Sequence, residues 1–414
     1  MDRNNIDTGK LKVSVTTEQG YTPIPGVRIE IANMGNPNQT LEVLETDASG
    51  ISETVDLDAP PLEYSMEPSD NQPYSEYNLK ISAEGYDSRI ISGIQIFSGE
   101  LGLQSIRLTP SQGTREIYNP LVINGHTLWE FYPPKIAEAE IKPLNESGEI
   151  VLRQVVVPET IVVHDGVPTD STAQDYYVPY LDYIKNVASC EIYSTWPEAT
   201  IQANVLAIMS FTLNRVYTEW YRNKGYNFTI TSSTAYDHKW MPGKTTYESI
   251  SQVVDSLYNN YLSRPNIKQP ILTQYCDGKR VTCPNWMSQW GSKYLGDDGL
   301  TASQIIRYYY GNDMYINSAE IVSGIPVSYP GYDLSIGSSG DAVLQIQEQL
   351  ARIRQVYTAI PALAPDGIYG QNTAASVRAF QNIFDLPVSG IVDYPTWYKI
   401  SQIYVGVTKI GENV

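Results

Sequence analysis

Ser194-Thr195-Trp196-Pro197-Glu198-Ala199-Thr200-Ile201-Gln202-Ala203 opens the long helical pattern that precedes the C-terminal region. Downstream of it, Ala199, Ala203, Leu206, Ser210, Leu213, Tyr217 and Trp220 recur at alternating steps of four and three, the period of a buried helix face. Thr195 and Glu198 stand at capping-box spacing, and proline is tolerated in a first turn, so the spacing predicts a helix that begins near Trp196. On the amino-terminal side the period is two. Leu11-Lys12-Val13-Ser14-Val15, Val27-Arg28-Ile29-Glu30-Ile31, Tyr77-Asn78-Leu79-Lys80-Ile81 and Gln104-Ser105-Ile106-Arg107-Leu108 alternate as half-buried strands do. About seven short strands parted by Pro-Gly and Ser-Gly turns predict an all-β sandwich over residues 1–110. Residues 111–178, rich in Pro and Glu, read as an extended lead-in to the central unit, so the boundaries expected are 1–110, 111–325 and 330–405.

The 414 residues have ordinary globular composition, 42% apolar and 18% charged. Acids outnumber bases 46 to 28, a net charge of −18, which opposes nucleic acid or an anionic membrane as main partner because both demand clustered cations. The first 110 residues carry 17 acids and 7 bases, −10, so more than half of the excess sits there. Tyrosine stands at 32 against 6 phenylalanines, a side chain with an apolar face and a hydrogen-bonding tip that suits either sugar-facing surfaces or a hydrated exterior. The first five residues lack the basic and apolar regions of a signal peptide, and no run approaches a membrane span. No standard export or membrane route is therefore expected.

Three segments carry resemblances. Pro25-Gly26-Val27, Thr46-Asp47-Ala48-Ser49-Gly50 and Ala83-Glu84-Gly85-Tyr86 resemble carboxypeptidase-regulatory-like, transthyretin-like modules. That resemblance implies a spacer or adhesion role with an unknown protein partner. Near the C-terminus, Ile336-Gly337-Ser338-Ser339-Gly340-Asp341, Asp366-Gly367-Ile368-Tyr369-Gly370 and Ala375-Ser376-Val377-Arg378-Ala379-Phe380-Gln381 precede a second turn, Gly390-Ile391-Val392. This order resembles the peptidoglycan-binding domain 1 family and implies a small three-helix unit. In the centre, Ala188-Ser189-Cys190-Glu191-Ile192-Tyr193-Ser194-Thr195-Trp196-Pro197-Glu198-Ala199, then Met287-Ser288-Gln289-Trp290-Gly291, then Tyr308-Tyr309-Tyr310-Gly311 resemble the stage II sporulation protein D (SpoIID) family. That resemblance implies an α+β domain that acts on peptidoglycan glycan strands as a lytic transglycosylase, with Glu191 in the position of the family's catalytic glutamate; taken with the lack of a signal peptide, it implies a mother-cell cytoplasm with assembly on a spore cortex or coat, or release to act at the cell wall.

One carboxyl group suffices for that reaction. It protonates the departing glycosidic oxygen and then, as a base, takes the proton from the muramic C6 hydroxyl while the anhydro ring closes, so no water needs activation. To act as an acid near neutral pH, Glu191 needs a desolvating wall, expected from Tyr193 and Trp196; a helix start just after it opposes this by about 0.3–1 kcal/mol. Tyr236, Asp237, Ser288, Gln289 and Trp290 complete the expected substrate contacts, with a helix cap as the alternative role of Ser288. Gln202, Asn204, Met209 and Cys283 depart from the family pattern. A non-catalytic wall- or spore-surface binding protein therefore stays open, as does a wall-penetrating component of a phage-like particle.

Cys276 and Cys283 bracket an Asp-Gly pair that signals a two-residue hairpin, in which they stand about 13 Å apart. That hairpin excludes a disulfide, whereas a looser loop permits one. Disulfide, free thiols, and zinc held with His238 remain open, no cofactor being expected otherwise. Cys190 reads as a small buried hydrophobe. None of the three histidines, His126, His164 and His238, lies in a triad or metallopeptidase arrangement.

Overall fold

The computed structural model describes residues 6–18, 21–111, 120–142, 152–319, 321–323 and 329–409; the amino-terminal stretch 1–5 lies outside them. The first part comprises β1 (Asp7–Thr17), β2 (Arg28–Asn33), β3 (Thr40–Glu45), β4 (Val55–Ala59), the single-turn α1 (Glu63–Met66), β5 (Ser75–Ser82), β6 (Arg89–Ile96), β7 (Leu101–Leu108) and the short β8 (Leu121–Val122). The period-two residues do what alternation dictates. Leu11, Val13 and Val15 are buried, as are Ile29, Ile31, Leu79, Ile81, Ile106 and Leu108, in one core shared by two sheets. One sheet runs β4-β1-β7, with β1 and β7 parallel, and the other runs β3-β2-β5-β6-β8.

The central part follows with β9 (Val156–Val157), β10 (Thr160–His164), β11 (Asp175–Pro179), α2 (Tyr180–Glu191), α3 (Glu198–Tyr217), β12 (Ile230–Thr231), β13 (Thr246–Tyr247), α4 (Glu248–Leu257), β14 (Asn260–Ser263), β15 (Tyr275–Cys276), β16 (Met287–Ser288), α5 (Gln289–Asp297), α6 (Ala302–Tyr310), β17 (Tyr315–Ser318) and β18 (Ile321–Val322). α3 is the axis of this part. Ala203, Leu206, Ser210 and Leu213 are buried, and so is nearly every other residue of the helix, because α2, α4, α5, α6 and β14 surround it. Its polar groups are met inside: Ser210 Oγ donates to Ile271 O at 2.9 Å and Asn214 Nδ2 to Pro270 O at 2.7 Å.

The capping box does not form. α3 begins at Glu198 with no side-chain cap, because Thr195 Oγ1 donates instead to Ser65 Oγ at 2.8 Å and Trp196 Nε1 to Ser65 O at 2.9 Å. A contact to α1 thus outcompetes the local cap, and Glu198 accepts from Gln202 Nε2 one turn on. The two parts also share structure. β13 pairs with β7 of the first sheet, and Cys190 and Met241 enter the first core.

The C-terminal part is α7 (Asp341–Ile353), α8 (Gln371–Ile383) and α9 (Tyr394–Lys409). Two buried glutamines hold its two Gly-Ile turns in the same way. Gln347 Nε2 donates to Ile368 O and its Oε1 accepts from Gly367 N; Gln381 Nε2 donates to Ile391 O and its Oε1 accepts from Gly390 N. This part is docked on the rest. Tyr398 stacks on Tyr258 at 4.5 Å, Tyr394 Oη donates to Asn259 Oδ1, and Lys12 of β1 is paired with Asp385. Tyr21 lies so close to α9 that a β-carbon at Gly406 would stand 2.3 Å from its ring.

Candidate functional site

Glu191 is the last residue of α2, not a residue ahead of a helix start, so it sits at a carbonyl end and the opposing amino-terminal dipole expected from sequence does not act on it. Its side chain is mostly buried and reaches a recess of about 50 Å³ lined by His126, Leu128, Tyr132, Lys135, Tyr275 and Gln289, among others. Oε1 accepts from Lys239 N at 2.7 Å and Oε2 from Gln289 Nε2 at 2.9 Å. Gln289 Nε2 also donates to the Glu191 carbonyl at 2.6 Å, so two landmarks 98 residues apart are joined at one carboxylate.

The remaining wall comes from residues outside the motifs that mark Glu191 and Gln289. Burial lowers the Lys135 ammonium from its usual range, and the nearby Glu191 and Asp237 counter this. Lys135 lies over the Tyr275 ring at 4.7 Å and donates to Asp237 O. Burial, then the Glu191 charge, holds the Tyr275 hydroxyl far above its ordinary value; it makes no complete hydrogen bond. His126 Nε2 donates to Cys190 O at 2.5 Å, which requires the proton on that nitrogen, while Nδ1 accepts from Tyr132 Oη at 2.7 Å.

Burial, then the Lys244 charge, pushes His126 from 6.5 down to about 3. The folded value lies below the unfolded one, so the unfolded chain binds more protons between these limits. Stability therefore rises with pH through that window, and is lost as pH falls from 6.5 toward 3 at about 1.4 kcal/mol per unit. His126→Gln should flatten that part of the profile by one proton, measured as urea-unfolding free energy at pH 7 and pH 5.

Cys276 and Cys283 form a disulfide with Cα atoms 5.7 Å apart. The expected tight hairpin is absent because β15 pairs in parallel with β16 and not with the residues after the turn. Asp277 Oδ1 gathers the amides of Lys279, Arg280 and Val281 at 2.6, 2.9 and 3.1 Å, and Gly278, at φ 74°, leaves 1.9 Å between its ideal β-carbon position and Ser288 Oγ. The zinc reading fails with the hairpin. Its two thiols are consumed, His238 is a core residue stacked on Tyr275, and no group of three or more His, Cys, Asp or Glu that could hold a metal occurs among the described residues. Cys276→Ser with Cys283→Ser should cost about 2.5 kcal/mol through the loop-closure entropy of so short a loop, read from the urea midpoint.

Of the expected contacts, Glu191 and Gln289 line the recess. Tyr193, Trp196 and Trp290 do not; they form a buried aromatic cluster with centroids 4.9 to 6.0 Å apart. That cluster braces the recess from behind, since Tyr193 Oη accepts from Leu128 N at 2.9 Å and Trp290 Nε1 donates to Leu128 O at 3.3 Å. Ser288 is the cap of α5, accepting from Gly291 N at 2.8 Å. Asp237 is fully buried and paired with Arg215 Nε at 2.7 Å, and the Tyr236 carbonyl accepts from the same guanidinium. Leu128, Pro133 and Tyr275 take the place of the apolar wall expected from Tyr193 and Trp196. Among the departures, Asn204 is absorbed by Ser292 and Met209 by the core. Next in sequence to the lining residue Val281, the Arg280 guanidinium lies 4.3 Å from the Trp129 ring and 4.4 Å from Phe131, which adjoins the lining residue Tyr132 and is 84% exposed. The run Trp129-Glu130-Phe131-Tyr132-Pro133 is richer in aromatics than a lead-in requires, and that density was the signal available.

The family model PG_binding_1, a peptidoglycan binding domain, matches residues 339–400. No curated protein matches the chain. Among solved structures, the SleB N-terminal domain is 27% identical, over 18% of this chain and 93% of its own, with a TM-score of 0.16. GBS52, the minor pilin of the Gram-positive pathogen Streptococcus agalactiae, is 15% identical over 28% of this chain and half of its own, with a TM-score of 0.19. Likenesses of this extent carry neither fold nor function. Among the described residues, no helix is long and apolar enough to cross a membrane.

Proposed function

We propose that the chain cleaves peptidoglycan glycan strands as a lytic transglycosylase of the SpoIID kind, held to its polymer by the C-terminal peptidoglycan-binding part. The observation that carries the reading is the meeting of Glu191 and Gln289 in one recess. Asp277, the other acid in the lining, has its Oδ1 committed to three loop amides, which leaves Glu191 as the carboxyl group for the chemistry. Its proton passes to the glycosidic oxygen as the C1–O bond breaks. The resulting carboxylate then takes the C6 hydroxyl proton as O6 bonds to C1, so the product is a 1,6-anhydro sugar and Glu191 is restored. Phe131 and Arg280, next in sequence to Tyr132 and Val281 of the lining, would meet the sugars flanking the bond, and the exposed Phe131 face suits a pyranose.

A second reading, glycan binding without turnover, is favoured by the fact that both Glu191 oxygens already accept hydrogen bonds. Digestion of purified glycan strands separates the two, because release of anhydro-terminated saccharides belongs to the first reading alone.

A further inference from the structure

Gln95 and Lys244 meet inside the molecule, where the first part and the central part join. Ile94 and Ile96 of β6 face the sandwich core, so Gln95 between them faces the central part, and it is 1% exposed. The stretch 243–247 is stitched down beside it. Gln104 Nε2 donates to Gly243 O at 3.1 Å, Thr245 Oγ1 to Gln104 Oε1 at 2.8 Å and Tyr247 Oη to Gln95 O at 3.2 Å. Between these anchors Lys244, itself buried, donates from Nζ to Gln95 Oε1. Two polar groups are left over. Gln95 Nε2 is closed to solvent without a partner, and among the described residues no carboxylate is ion-paired with Lys244. A buried ammonium held by one neutral amide and a buried NH₂ with no acceptor are each costly.

We propose that Lys244 and Gln95 are joined by an amide bond between Nζ and Cδ, formed within the folded chain with loss of ammonia. One step removes both unmet groups, since the cation and the surplus NH₂ leave together as ammonium. The carbon to be attacked lies one C=O bond, about 1.2 Å, from the oxygen that Lys244 already touches. Burial brings the Lys244 ammonium down to about 8 from 10.5, which supplies the free amine. Its lone pair forms the Nζ–Cδ bond as the carbonyl π pair moves to Oε1; that pair returns as the Cδ–Nε2 bond breaks. A proton has to travel from Nζ to Nε2. Glu76 stands directly opposite Gln95 on the neighbouring strand β5, where paired side chains have β-carbons about 4.5–5.5 Å apart, and its charge acts on Lys244. Its carboxylate carries that proton across and ends as it began. No oxidant or other reactant enters. The bond ties residues 149 apart, is independent of the glycan chemistry proposed above, and leaves burial as the first cause of the low His126 value once Lys244 has no charge.

Intact-mass spectrometry of the purified full chain, with the disulfide reduced, reads the bond directly. The expected mass is that of the sequence less one ammonia, and protease digestion should yield one branched peptide that carries both Gln95 and Lys244. Lys244→Met and Gln95→Met should each lose the branched peptide and keep the ammonia. Glu76→Gln should retain the far-ultraviolet circular dichroism of wild type yet cross-link about 100-fold or more slowly, the worth of a positioned proton carrier; a merely structural role would not separate the two. A wild-type chain at full mass overturns the proposal, as does ammonia lost elsewhere with Gln95 and Lys244 recovered in separate peptides. Cross-linking of Glu76→Gln at the wild-type rate overturns the role given to Glu76.

Discussion

Glu191→Gln protein incubated with purified glycan strands is expected to release anhydro-terminated saccharides about 10²–10⁴-fold more slowly than wild type, the usual worth of a positioned acid and base. The substitution is close to isosteric. Its carbonyl oxygen still accepts from Lys239 N, but its amide nitrogen faces Gln289 Nε2, also a donor. Gln289 can relieve that conflict by turning its amide, at the expense of its bond to the Glu191 carbonyl, so a modest loss of melting temperature is expected alongside the loss of rate. Cleavage that persists undiminished would remove Glu191 from the chemistry, and absence of cleavage in wild type would favour the binding reading.

Asp237→Ala should lower the unfolding free energy by about 3–5 kcal/mol, the measured consequence of stripping one partner from a buried ion pair. Arg215 is only 1% exposed. Its Nε donates to Asp237 Oδ1 at 2.7 Å, and its terminal nitrogens reach Glu138 at 2.6 and 3.1 Å. Asp237 Oδ2 also receives the Tyr221 hydroxyl at 2.6 Å and the Thr231 amide and hydroxyl at 2.9 and 2.7 Å, so truncation strands four donors. The urea midpoint measures this. A variant that unfolds as wild type does but loses affinity for glycan would restore Asp237 to the substrate contacts in which its sequence neighbourhood placed it.

The parts of the molecule legible in sequence are those whose determinants are local. Alternation in β1 and β7 placed Leu11, Val13, Val15, Ile106 and Leu108 inside, and the step pattern of α3 placed Ala203, Leu206 and Leu213 there. The paired Gly-Ile turns near the C-terminus were visible as an echo, although the glutamine behind each was not. What failed did so through distant competition. Thr195 is drawn from its cap by Ser65, 130 residues away, and a hairpin signal at Asp277-Gly278 yields to pairing with Met287 and Ser288. Glu191 and Gln289 were legible because motif spacing marked them. Lys135 and Tyr275 were not, because only the folded chain brings a residue from a proline-rich lead-in against one from a two-residue strand. Tyr193, Trp196 and Trp290, expected as substrate contacts, are buried against one another, and Tyr193 and Trp290 hold the Leu128 backbone.

The stacking of Tyr398 on Tyr258, with Lys12 held to Asp385, bears on how such a protein would travel over its polymer. A binding unit on a loose leash samples many bonds around its anchor and sacrifices local concentration to reach. If the central part cuts as proposed above, a unit seated on it behaves as the fixed jaw of a caliper. Each anchoring event then presents bonds at one offset along the strand, and the lengths of the fragments left behind record that offset.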